Sequence, residues 1–190
     1  MQALVAWFHS ELDFSLALLA PEEAATAVGS TTYFGGMVNE WSASLHPSKY
    51  LYGLAGAGGR QGGLLCEKTA VTRLEKFAHG FLVQTSQGTL KAREVLLATN
   101  GYTGKLVRSV QRLVFPMNSI AIVTEPLTPA QQTYLNPDGR TAQDSRWLHH
   151  YFRLTPDGRF LFGSHGHWRL EQDLLDCAAA LRQQMVQRFP

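Results

Sequence analysis

The chain has 190 residues, 45% of them hydrophobic, with a net charge of +2 and mean hydropathy of −0.12. That is enough for one domain or parts of two with a sizeable core. The scattered Lys and Arg exclude a strong electrostatic case for nucleic acid or a membrane surface. No apolar run approaches the ~20 residues of a membrane span. Cys66 and Cys177 lie far apart without a C-x-x-C motif, which predicts a reducing, cytoplasmic setting and neither a disulfide nor a zinc site.

Residues 1–18 read as a helix or strand, with Glu11 and Asp13 interrupting the apolar start and no signal-peptide pattern. A helix is predicted from Pro21, with Glu22 and Glu23 near its positive end and Gly29 as its stop. Tyr33 to Val38 can form a strand, with Gly35-Gly36 marking a bulge or close approach. The next helix starts at Ser44-Leu45-His46-Pro47, where Ser44 or His46 can cap and Pro47 pre-sets φ. This helix carries Gly53, Gly56, Gly58 and Gly59, which weaken it unless close packing compensates.

Phe81 to Thr85 alternates, Gln87-Gly88 turns and Thr89 to Ala92 returns, a hairpin pattern. Val95-Leu96-Leu97-Ala98 is then a short apolar run that predicts a buried strand, opening into Thr99-Asn100-Gly101. A Gly turn after a buried strand lets a ligand approach the backbone. A strand at Asn118–Thr124, a short helix from Pro129, a turn at Asn136-Pro137-Asp138-Gly139 and a hairpin around Thr155-Pro156-Asp157-Gly158 follow. Leu170 to Phe189 has a helical apolar stripe at Leu170, Leu174, Leu181, Met185 and Phe189.

The order of YFGG, SLHPSKYLYGLA, CEKTAV, LLATNGYTGKL, FPMNSIAIVTEPL, YFRLTPDGRFLFG and RFP resembles the FAD-dependent oxidoreductases of the D-amino-acid oxidase type, in particular the gamma-glutamylputrescine oxidase branch. The resemblance runs from about Tyr33 to Pro190. It implies an α+β fold: a mixed β-sheet substrate domain (about 33–45 and 110–165) interleaved with part of a Rossmann-like FAD-binding domain (about 46–105 and 170–190). No G-x-G-x-x-G follows a strand; Gly53 to Gly59 follows a helical pattern instead. The chain therefore reads as the middle of such an enzyme.

The resemblance further implies FAD as cofactor and a small-molecule amine or amino acid as substrate, oxidised at its C–N bond to an imine that hydrolyses. Ala98, Thr99, Asn100 and Gly101 match the turn along the ADP half of FAD, where backbone N–H groups face phosphates. Val71 matches the position that pairs backbone atoms with adenine; otherwise it is a core hairpin residue. His46 matches a histidine near the substrate cavity, or simply caps its helix. Tyr151 and Arg153, two apart on a strand, share a face and suit a carboxylate through the Arg fork and the Tyr hydroxyl. The alternative for them is a solvent-exposed hairpin. Ser164 stands where the family usually has a second glycine.

His149, His150, His165 and His167 invite a metal reading, but no carboxylate or thiol stands at a ligand-like offset. No nucleic-acid or membrane partner is expected. Two alternatives stay open: a truncated, non-catalytic fragment that holds no FAD, and a sarcosine- or tRNA-modifying type of the same superfamily.

Overall fold

The computed structural model describes residues 1–115, 117–165 and 173–190. Its elements are, in chain order, α1 (Gln2–Leu12), β1 (Ala17–Leu19), α2 (Pro21–Val28), β2 (Gly36–Val38), α3 (Pro47–Arg60), β3 (Val71–Phe77), β4 (Gly80–Thr85) and β5 (Gly88–Ala92). After a 3₁₀ turn at Asn100–Tyr102 come α4 (Arg108–Gln111), β6 (Ser119–Pro126), α5 (Pro129–Leu135), β7 (Ala142–Gln143), β8 (His150–Leu154), β9 (Arg159–His165) and α6 (Leu174–Arg188). They fall into two units: Met1–Ser44 with Asn118–Pro190, and Leu45–Met117.

The first unit is built on a four-stranded sheet in the order β6-β9-β8-β7. The α+β class stands, and the sheet expected to be mixed is antiparallel at every described pairing. Antiparallel pairing follows locally: Thr155 to Gly158 closes the β8–β9 hairpin, with Gly158 N–H donating to Thr155 O at 2.9 Å. Alternation then sorts the side chains. Phe152, Phe160 and Phe162 point to the core face and are 4%, 2% and 0% exposed. Leu181 of α6 joins this cluster, with Met185, Phe189, Ile120 and Ile122 packed around it. The Phe189 ring meets both Phe152 and Phe160 edge-on at 5.0 Å.

Of the predicted apolar stripe on α6, Leu181 is buried and Leu174 is exposed, while Leu170 lies outside the described residues. The described helix opens at Leu174, capped by the Asp173 side chain, which accepts from Leu175 N–H at 2.8 Å. The segment 170–190 was expected with the FAD part; α6 packs on β6 and β9. A small sheet of β1 and β2 completes this unit with α1 and α2. Gly29 ends α2 in the left-handed conformation, φ 63°, as its place after the helix requires.

The second unit holds α3 and the meander β3-β4-β5. The His46 imidazole caps α3 by accepting from Lys49 N–H at 3.4 Å, and Pro47 opens the helix. Close packing was expected to offset the glycines of α3. Instead α3 buries no residue, and a Cβ on Gly53, Gly58 or Gly59 would meet nothing within 4 Å.

The predicted buried strand Val95–Ala98 is also absent: these residues pair into no described sheet, and Leu96 is 90% exposed. A buried strand needs hydrogen-bonded neighbours on its edges, and no described strand lies beside this one. No described helix is long and apolar enough to cross a membrane.

Candidate functional site

The face of the four-stranded sheet opposite the phenylalanine core carries the first candidate pair. Because His150 and Phe152 face the core, Tyr151 and Arg153 face the other way, as the sequence predicts. In register, Tyr151 stands opposite Gly163, which stands opposite Ala121. The Tyr151 ring lies across Gly163, where any Cβ would collide with it. Its hydroxyl thereby reaches β6, 2.8 Å from Ser119 Oγ.

Tyr151 also lines an open cleft of about 550 Å³, of ordinary size for a small-molecule site. The cleft lies between 38–44 and 138–143, and its other polar groups include Glu40, Arg140 and Gln143. Arg153 is not among its lining residues. The second wall is set by Asn136. Thr128 and Gln131 cap α5 reciprocally, and the helix runs into the Asn136 turn. Asn136 Oδ1 accepts from Arg140 N–H at 2.9 Å, while its Nδ2 donates to Arg140 O at 2.5 Å. Gly139, at φ 65°, supplies the left-handed step within this loop. The Arg140 guanidinium then contacts Glu40 at 2.8 Å and Asp138 at 3.4 Å, and the hydrogen bond to Glu40 raises its pKa further above the ordinary value.

Sequence reasoning missed Arg140, although the Asn-Pro-Asp-Gly turn before it was legible. It also missed a buried polar pair behind the sheet. His150 Nδ1 lies 2.9 Å from Asp144 Oδ2, its Nε2 lies 2.7 Å from Gln184 Oε1 on α6, and its ring stacks on Phe162 at 5.0 Å. This fixes His150 structurally. No group of three or more His, Cys, Asp or Glu is placed to hold a metal among the described residues. His167 lies outside them.

Tyr33, packed on Phe152, has a buried hydroxyl without a hydrogen-bond partner among the described residues. Burial, reinforced by the Asp144 carboxylate, pushes its pKa up to about 12.

The cofactor candidates lie in the second unit. Val71 is on β3, an edge strand of its sheet, opposite Thr85. Ser86 N–H donates to Ala70 O at 2.9 Å, which makes Val71–Thr85 a non-hydrogen-bonded pair. Val71's own N–H and C=O therefore point away from β4, toward the edge. That donor and acceptor suit the edge of an adenine.

The turn after Ala98 is exposed, and a Cβ at Gly101 would meet nothing within 4 Å. Asn100 is left-handed at φ 48°; its Oδ1 accepts from Gly101 N–H at 2.8 Å, and Tyr102 N–H donates to Thr99 O at 3.0 Å. A phosphate can use Gly101 N–H only if the Asn100 amide swings aside. In chemistry and access these residues fit the ADP half of FAD. His46 is committed to its helix cap.

Comparison with known proteins decides the family. A model of the FAD dependent oxidoreductase family matches residues 1–190. The chain belongs to this FAD-dependent oxidoreductase family. It is 31% identical over 175 residues to the probable oxidoreductase OrdL of Rhizobium meliloti, covering 92% of this chain and 40% of that protein. It is 30% identical over 149 residues to the gamma-glutamylputrescine oxidoreductase of Escherichia coli, covering 78% and 35%. The fold matches the crystal structure of glycine oxidase from Geobacillus kaustophilus with a TM-score of 0.67 at 18% identity, over 98% of this chain and 51% of that one. The chain thus spans about two-fifths of the length of these curated relatives.

Proposed function

We propose that the protein oxidises the C–N bond of a small amine or amino acid, giving an imine that water hydrolyses. The family match over the whole chain carries this reading. Similarity to a gamma-glutamylputrescine oxidoreductase supports an amine-bearing substrate. FAD, when bound, supplies the acceptor for a hydride equivalent taken from a C–H next to nitrogen.

In this reading about 46–105 is the part of the FAD domain, with Val71 on the adenine and Ala98 to Gly101 along the phosphates. Residues 33–45 and 110–165 belong to the substrate domain, and α6, carried by the resemblance to the FAD part, lies against its sheet. Tyr151 and Arg153 face substrate in this reading, Tyr151 through the cleft and Arg153 from the same sheet face, while His46 serves as the cap of α3. The cytoplasm is the proposed location.

A second reading has its own observation. Leu96 is 90% exposed in the run expected to be a buried strand, and no glycine fingerprint precedes it. Residues 1–190 on their own would then hold no FAD, and the activity would belong to a protein of the relatives' length. Gel filtration with added FAD separates the two. Flavin colour eluting with the chain supports autonomous binding, and a colourless chain supports the second reading.

A further inference from the structure

We propose that the cleft binds a small carboxylate, with Arg140 as the receptor and Glu40 as a resident stand-in that the ligand's carboxylate replaces. This rests on the reading of the cleft as a ligand site. Among the residues that line it, the charged ones are Glu40, Asp138 and Arg140, so Arg140 is its cation. Glu40 belongs to the wall 38–44 and Arg140 to the wall 138–143. Their contact at 2.8 Å therefore carries the guanidinium across the gap. The main chain beneath it is held at both N–H and C=O by the Asn136 amide, so the side chain starts from a fixed point.

A guanidinium has five N–H donors, in a planar fork. One edge, formed by Nε and Nη2, is taken: Asp138 Oδ2 lies 3.4 Å from Nε and Glu40 Oε1 lies 2.8 Å from Nη2. The other edge, Nη1 with the second N–H of Nη2, has no partner among the described residues. Such an edge matches the two oxygens of a carboxylate. A ligand bound there would share Nη2 with Glu40, and two like charges on one nitrogen repel.

Glu40 is the group that leaves. Its side chain is 69% exposed, it comes from the far wall, and exposed ion pairs are weak. Asp138 lies two residues from Arg140 in the same turn and stays on Nε. With Glu40 returned to water, Asp138 and Arg140 sum to zero, and no net negative charge in the cleft opposes the ligand. The site thus separates carboxylate-bearing molecules from plain amines.

The test measures binding of butyrate and of n-butylammonium to the purified protein by calorimetric titration. Arg140→Gln should weaken butyrate about 10-fold or more, the equivalent of a charge-assisted hydrogen bond, and Arg140→Lys should recover only part, because it keeps the charge and loses the fork. Glu40→Gln removes the competitor and should tighten butyrate about 2- to 5-fold. The Asn136 bonds go to the main chain of residue 140, so these changes leave them in place.

Butyrate that does not bind, or that binds Arg140→Gln as well as the unaltered protein, overturns the assignment. Weaker butyrate binding in Glu40→Gln overturns the stand-in role. Butylammonium binding that Glu40→Gln abolishes would make the cleft a cation site and overturn the proposal as well. Each of these failures leaves amine oxidation standing, since that reading falls only if amines and amino acids fail to bleach the flavin-loaded protein.

Discussion

Tyr151 and Gly163 are cross-strand partners in which one residue has no side chain so that the other can lie flat. The aromatic ring spans β9 and puts its hydroxyl on β6, 2.8 Å from Ser119. Gly163→Ala places a methyl group inside the ring's position. Overpacking of this kind typically costs about 1–3 kcal/mol, because the ring must leave its rotamer. The expected result is a fall in denaturant midpoint together with weaker amine binding. Unchanged values for both would show that the ring does not rest there.

Asp144 and His150 are paired behind the same strand, both under 9% exposed. Removing one partner leaves the other polar group buried and uncompensated. Asp144→Ala is therefore expected to destabilise the fold by about 3–5 kcal/mol. A double-mutant cycle with His150→Ala should return a coupling of about 0.5–3 kcal/mol. Additive effects of the two changes would show that the pair does not act as one.

Asn136 holds the cleft wall through both ends of its amide. Asn136→Ala leaves the Arg140 N–H and C=O without that partner and should cost about 1–3 kcal/mol. Arg140 would then lose its fixed contact with Glu40. Hydrogen exchange across Asp138 to Gln143 measures this directly, and the exchange should quicken there well before it does in β8.

Tyr33 gives a pH prediction. Its folded pKa of about 12 lies above the ordinary tyrosine value of 10.0, so the unfolded chain releases this proton first. Between pH 10 and 12 the folded state binds more protons, and stability falls as pH rises. The contribution is fully present below pH 10 and lost through that window. Tyr33→Phe should remove this part of the alkaline slope while leaving neutral stability level or higher, since the buried hydroxyl has no partner among the described residues. A slope identical in both proteins would contradict the assignment.

What the sequence made legible were features set by neighbours along the chain. Pro21, Pro47 and Pro129 open helices where expected, and Thr155 to Gly158 turns the hairpin that puts Tyr151 and Arg153 on one face. Features set by distant partners were not legible. Val95–Ala98 has the composition of a buried strand, but composition cannot supply the neighbouring strands that would pair with it. The packing of α3 failed for the same reason: its glycines permit close approach and do not provide a surface to approach.

Within the site, Tyr151 was legible from its motif. Arg140 and Ser119 were not, because what places them is the Asn136 amide bracket in one case and sheet register in the other. Asp144 and His150 are six residues apart with no periodic link. Only the turn between β7 and β8 brings them together.

The central claim is FAD-dependent oxidation of an amine, and anaerobic addition of amine to the flavin-loaded protein tests it most directly. The protein is prepared at the length of its curated relatives, and the visible flavin band is followed as amines and amino acids are added in turn. Loss of that band with at least one amine, and its return on admitting oxygen or another acceptor, is the predicted result. A flavin-loaded protein whose band is untouched by every amine and amino acid would contradict the account.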